Sequence, residues 1–117
     1  MTFAEIAAIA KDAVDENGKT LFKNVAYDHF AEGKYPRPPF MLFSFPRSNN
    51  FGADGKVYKK IQRVQYELYS DKKRPDIEGA FESWLDSKDM FYDKDEVWLS
   101  EEQLYLITYQ MEVFYDG

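Results

Sequence analysis

The side chains of this chain that could do chemistry are few and scattered. Its single histidine, His29, sits between Asp28 and Phe30. A histidine-based metal site, a serine–histidine–carboxylate triad or an imidazole general base would each have to rest on that one residue. With no cysteine in the chain to join it, the imidazole reads as a structural or surface group. Gly52 and Gly55 lack the Lys-Ser/Thr pair that a phosphate-cradling loop requires.

The densest run of carboxylates is Asp86, Asp89, Asp93, Asp95 and Glu96. Oxygen ligands suit calcium or magnesium, yet the stretch from Asp89 to Glu96 has no glycine at the required turn and no acidic residue at the closing position. It reads as a solvated acidic face. Lys72-Lys73-Arg74 reads as a polar turn ahead of a helix, because so small a cluster makes no nucleic-acid patch. No close carboxylate pair, nucleophile or phosphate cradle supports acid–base catalysis, so an enzyme using Asp or Glu is the weakest reading. The expectation is a protein without catalytic residues, metal or cofactor.

Composition points towards contacts instead. A chain of 117 residues suits one domain spanning 1–117. Aromatic residues make up 18% of it, with 9 Tyr, 10 Phe and 2 Trp. Such rings dominate small cores, and those left outside favour protein–protein contacts. The net charge of −6 disfavours gripping a phosphate backbone. The absence of cysteine suits a reducing compartment. Met1 to Val14 is apolar on one face only and carries Glu5, Lys11 and Asp12, a pattern of neither a signal peptide nor a membrane span.

The elements that must position these groups follow from periodicity. Thr2 and Glu5 have capping-box spacing, and Phe3, Ile6, Ala10, Ala13 and Val14 recur at helical intervals up to Asn17-Gly18, predicting a helix over Phe3 to Glu16. Lys19 to Pro39 holds no period and reads as an irregular connection. Phe40 to Phe45, bounded by Pro39 and Pro46, predicts a buried strand, and Arg47 to Gly55 a loop. A second strand is expected from Val57 to Ser70, with Val64, Tyr66 and Leu68 inward and Arg63, Gln65 and Glu67 outward. Ile61 falls out of that phase, implying a bulge or a strand end facing something else.

Pro75 opens a helix whose stripe is Ile77, Ala80, Phe81, Trp84 and Leu85. Burying its four large side chains is worth about 1.5–3 kcal/mol each before entropy is subtracted, which places Trp84→Ala among the worst substitutions. Met90 to Leu99 reads as a strand with a polar middle. Ser100 to Gln103 turns into a strand over Leu104 to Tyr115, with Tyr105, Ile107, Tyr109, Met111 and Val113 on one side. The expected fold is α+β, a mainly antiparallel four-stranded sheet with two helices on one face, in the order α-β-β-α-β-β. Its core comprises Ile77, Phe81, Trp84, Leu85, Val64, Tyr66, Leu68, Ile107 and Tyr109. Trp98, Leu106 and Phe114 are left for the outer face or a strand end, as interface candidates.

Several segments, taken in order, resemble tail terminator proteins of long-tailed bacteriophages. They are Pro38-Pro39-Phe40 opening a strand, Asp54-Gly55-Lys56-Val57-Tyr58, and Val64-Gln65-Tyr66-Glu67-Leu68-Tyr69-Ser70 followed by Lys72. A helix ending in Trp84-Leu85 and the run Glu101-Glu102-Gln103-Leu104-Tyr105-Leu106-Ile107-Thr108-Tyr109 continue the likeness, which covers Tyr35 to Phe114.

The resemblance implies a structural virion protein at the head-proximal end of the tail, made in the host cytoplasm. Identical subunits, commonly six, would form a ring that ends tail-tube growth and meets the tail-tube protein on one side and a head-side connector on the other. DNA would pass through the lumen without specific binding, which an acidic lining favours. The expected interface residues are Asn49, Asn50, Phe51 and Asp54 in the loop, Arg63 and Glu67 on the outward strand face, and Trp98, Leu106 and Phe114. The Arg47 to Lys56 loop is expected to order on the tube or a neighbour. Alternatives are a head-closure or connector component and a small ligand-binding regulatory domain using the Tyr27 to Phe30 loop.

Overall fold

A computed structural model describes residues 1–53 and 55–116, with the side chains of Phe51, Ala53 and residues 56–59 outside the description. Helix α1 spans Phe3–Lys11 and starts with the expected capping box, Thr2 and Glu5 each satisfying the other's backbone N–H. It is shorter than the predicted helix. Asp12 caps it, and the chain then folds back through an isolated bridge between Val14 and Thr20. Asp15 Oδ1 accepts the N–H groups of Asn17 and Lys19, and Gly18 takes φ +78°. Asn17-Gly18 therefore serves this turn and is not the helix stop. The return leg places Phe22 against Phe81, ring centroids 5.3 Å apart.

The main sheet is mixed and five-stranded, in the order β1 (Val25–Tyr27), β2 (Phe40–Ser48), β5 (Ile61–Ser70), β7 (Leu104–Phe114) and β6 (Asp93–Leu99). Strand β1, Val25–Tyr27, lies inside the stretch predicted to be irregular and pairs parallel to β2, Phe40–Ser48. Three residues are too few to show a period, so the fifth strand has no sequence signature. Beyond it the arrangement is the expected antiparallel one, β2 with β5 (Ile61–Ser70), β5 with β7 (Leu104–Phe114) and β7 with β6 (Asp93–Leu99). Strand β2 runs through Pro46, which the pairing accommodates by a register shift between Ser44 and Arg47.

The predicted second strand divides. Its first part becomes β4, Lys56–Lys59, which pairs with β3, Phe51–Ala53, as a separate two-stranded sheet. The predicted loop is thus a hairpin arm. A radius of gyration of 15.2 Å exceeds the roughly 13 Å of a compact chain this long, in keeping with such an arm. Ile61 opens β5 and pairs with Phe114, so it lies on the outward face at the strand end.

Helix α2, Pro75–Ser87, carries β5 to β6, and because both flank β7 and run opposite to it, they are parallel to each other. It ends in a Schellman motif, with Met90 N–H bonded to Leu85 O, Asp89 N–H to Asp86 O, and Asp89 left-handed at φ +54°. One core lies between the helices and the sheet. Ile77, Phe81, Leu85, Val64, Tyr66, Leu68, Ile107 and Tyr109 are buried there with Ile6, Ile9, Met41 and Phe43. Trp84 is the exception among the predicted core residues, half-buried between α1 and α2 with Nε1 donating to Ile9 O at 2.8 Å and Lys88 Nζ over its ring. Tyr66 OH reaches the same helix, donating to Ile6 O at 2.7 Å. Among the described residues no helix is long and apolar enough to cross a membrane.

This packing reorders the expected mutational costs. Phe81→Ala should lose about 3–5 kcal/mol in urea unfolding followed by circular dichroism. Trp84→Phe should lose about 1 kcal/mol, mainly its hydrogen bond to α1. Equal losses would contradict the placement of Phe81 at the centre and Trp84 at the margin.

Candidate interaction face

Register fixes what the uncovered side of the sheet displays. Partners directly opposite on neighbouring strands share a face, so the pairing defines rows of side chains crossing the sheet. The first row is Phe40, Tyr69, Leu106 and Val97. The second is Leu42, Glu67, Thr108 and Asp95, and the third Ser44, Gln65, Gln110 and Asp93. Arg47, Arg63 and Glu112 follow, and Ile61 with Phe114 closes the series. The face is therefore apolar at both ends with a polar belt between them.

Hydrogen bonds hold the belt in place. Arg63 bonds to Gln110 and lies 3.5 Å from Glu112, while Gln110 Nε2 donates to Gln65 Oε1 at 3.1 Å. Glu67 accepts from Tyr69 OH at 3.0 Å and from Ser44 Oγ at 3.5 Å. A belt so internally paired presents a fixed pattern of charge and amide to whatever covers it.

One end of the face is partly covered by the chain itself. The segment before β2 folds over so that Phe30 and Tyr35 pack edge-on against Phe40, which stacks on Tyr69 at 5.0 Å. Phe40 and Leu42 are buried by this cover while Met41 and Phe43 are buried by the helices, making β2 apolar on both sides. Between the cover and the β6–β7 turn lies an open cleft of about 850 Å³, walled by Tyr35, Phe40, Leu42, Tyr69 and Leu104.

The predicted interface residues divide accordingly. Arg63, Glu67, Leu106 and Phe114 come together on the open face, Phe114 being 62% exposed. Trp98 does not join them. It pairs with Tyr105, their rings 4.7 Å apart, and so lies at a strand end on the helix side, half of it open to solvent. Asn49 and Asn50 brace the start of β5, the backbone N–H of Asn49 donating to Ile61 O and Asn50 Oδ1 accepting from Ile61 N–H. The side chain of Phe51 and all of Asp54 lie outside the described residues. Phe91, 84% exposed just after α2, was not singled out by sequence because it belongs to no periodic run.

The ionisable groups that suggested chemistry disperse. His29 is exposed and its Nδ1 lies 2.9 Å from Asp28. Asp93 and Asp95 face outward while Glu96 points to the helix side, where it meets Lys73. Among the described residues no three His, Asp or Glu side chains converge to hold a metal ion. Among the described residues the buried carboxylate is Glu78, 3.0 Å from both Lys73 and Lys94. Burial pushes its carboxyl up, but the hydrogen bonds from Lys94 and Lys73 outweigh this and hold it below the usual range. Lys94 also bonds Glu82 at 2.7 Å, and Glu82 accepts from Tyr109 OH at 2.9 Å. The cluster staples α2 to β6 and β7.

No protein-family model matches the chain, and no curated protein matches its sequence.

The tyrosines give this arrangement a pH signature. Burial raises Tyr66, and burial together with neighbouring carboxylates raises Tyr69 and Tyr109. In the unfolded chain a tyrosine loses its proton near pH ~10. Above that pH the folded state binds more protons, so stability must fall as pH rises, by up to about 1.4 kcal/mol per pH unit for each such group. Absorbance titration should show these three ionising only with cooperative loss of near-ultraviolet circular dichroism; simultaneous titration of all 9 tyrosines near pH ~10 with the fold intact would refute it.

Proposed function

We propose that this protein is a structural component of a bacteriophage tail, a terminator whose subunits assemble into a ring that caps the tail tube and meets the head connector. The observation that carries this reading is the open sheet face, with apolar rows at both ends and a fixed polar belt between. A cyclic ring needs heterologous contacts, in which each subunit offers two different patches that fit each other. The ends of this face differ in just that way, one an aromatic cleft and the other the exposed Phe114 paired with the half-buried Ile61, with Phe91 beside them.

Further support comes from the β3–β4 arm and from charge. An isolated two-stranded hairpin is marginal by itself, so an arm of this kind gains most when a neighbour or the tube completes it. The net charge of −6 suits a wall past which DNA slides. The cleft of about 850 Å³ also supports a second reading, a small ligand-binding domain, since pockets of roughly 300–1,000 Å³ serve that purpose.

Sedimentation velocity over a range of concentrations, followed by negative-stain imaging, tests the ring directly, and co-sedimentation with tail-tube protein tests its place in the particle. Val97→Lys and Phe114→Lys, one at each apolar end, should shift the protein to monomer while leaving its melting temperature nearly unchanged. A wild-type protein that stays monomeric throughout, but is stabilised by metabolites in a thermal-shift screen, would favour the ligand-binding reading instead.

A further inference from the structure

Asn17-Gly18 is the one place in this chain where an asparagine precedes a glycine. Asparagine is among the residues that heat and time degrade, because the next peptide nitrogen can attack its side-chain amide. Attack needs an approach clear of side chains and a backbone able to bend. Gly18 supplies both: it has no Cβ, the space a Cβ would fill is empty, and the residue sits at φ +78°. Asn17 and Gly18 are both exposed, and Asn17 borders an open groove with Asp15, Glu16 and Asp76, so water reaches the site. The three other asparagines are worse placed. Asn24 is followed by the branched Val25 and Asn50 by the bulky Phe51. Asn50 Oδ1 also accepts from Ile61 N–H, and Asn49 Nδ2 donates to Glu112 at 3.5 Å.

The turn itself restrains the reaction. Gly18 N–H donates to Asp15 O at 3.0 Å, so the nitrogen that must attack is engaged. Asp15 Oδ1 holds the N–H groups of Asn17 and Lys19 at 2.9 and 3.0 Å, and Asp15 N–H donates to Lys19 O at 2.9 Å. These bonds close a short surface loop, which can open locally while the core stays folded.

We infer that Asn17 is a site of spontaneous modification in the folded protein, converted to aspartate and isoaspartate at a rate set by opening of the turn that Asp15 closes. In the open turn Gly18 N loses its proton and attacks Asn17 Cγ, the side-chain nitrogen leaves as ammonia, and a cyclic imide forms. Water then opens the ring at one of its two carbonyls. One route gives aspartate and the other isoaspartate, whose main chain is a methylene longer. Water is taken up and ammonia released, with no oxidation or reduction. Either product adds a carboxylate to the groove beside Asp15, Glu16 and Asp76. The longer main chain also displaces the return leg, which bonds Leu21 N–H to Ala13 O and sets the buried Phe22 against Phe81. This chemistry is independent of any assembly.

The test incubates the full chain in warm neutral buffer, folded and in urea. The tryptic peptide Asp12–Lys19 is followed by mass spectrometry, and isoaspartate is counted by enzymatic methylation. Asn17 should be the first asparagine to react, more slowly folded than in urea. Asp15→Ala, checked for folding by circular dichroism, should speed the folded reaction about fivefold, the factor that one lost hydrogen bond makes in an opening equilibrium. Asp15→Asn, which keeps the acceptor oxygen, should stay slow. If Asp15→Ala does not fold, the comparison of folded and urea-treated wild type decides alone. Earlier reaction at Asn24, Asn49 or Asn50, equal rates folded and in urea, or an unchanged rate in folded Asp15→Ala would each overturn the proposal. So would a folded chain still intact at Asn17 once the unfolded chain has fully reacted.

Discussion

Strand β5 is paired with β7 along its whole length and with β2 from Gln62 to Tyr69, and its side chains must alternate between two environments. Val64, Tyr66 and Leu68 go to the helices, and Arg63, Gln65, Glu67 and Tyr69 to the opposite face. Both neighbours inherit the same division through register. The helices can then cover one side only, and their attachment is specific. α1 spans just 9 residues, too few to be stable alone, and is held by side-chain donors from Tyr66 and Trp84 to two of its backbone carbonyls.

The same constraint decides where polar groups can be satisfied. On the covered side, Tyr109, Glu82, Lys94, Glu78 and Lys73 form a chain of bonds linking α2 to two strands. No buried side-chain nitrogen or oxygen among the described residues is left without a partner. On the open side, Arg63, Gln110, Gln65 and Glu112 pair among themselves across strands, which keeps a sheet face rich in charge from collapsing onto its own apolar ends. A face built in this way is ordered before anything binds it.

What the sequence made legible follows from how strongly each element repeats. The stripe of α2 and the alternation of β7 carry several turns or pairs of signal, and both lie where periodicity puts them. Arg63, Glu67, Leu106 and Phe114 were readable as outward residues for the same reason. Three features were not. β1 is too short to alternate, Pro46 sits in a strand because a register shift spares the missing donor, and Asn17-Gly18 marks a turn whose partner strand is a single bridge. The run Phe40 to Phe43 did hold a clue, since four consecutive apolar residues in a strand require cover on both faces. Trp98 was ambiguous because its side depends on pairing with Tyr105, which no single strand's pattern can reveal.

The order of the strands has a consequence for how the molecule is made. β7 leaves the ribosome after β5 and β6, yet it lies between them in the sheet. Until Leu104 and the residues after it emerge, β6 has no partner and β5, which carries Val64, Tyr66 and Leu68 of the core, has an open edge. A nascent chain at that stage displays sticky strands in a crowded cell, and chaperones that shield extended apolar segments would have their greatest effect in that interval.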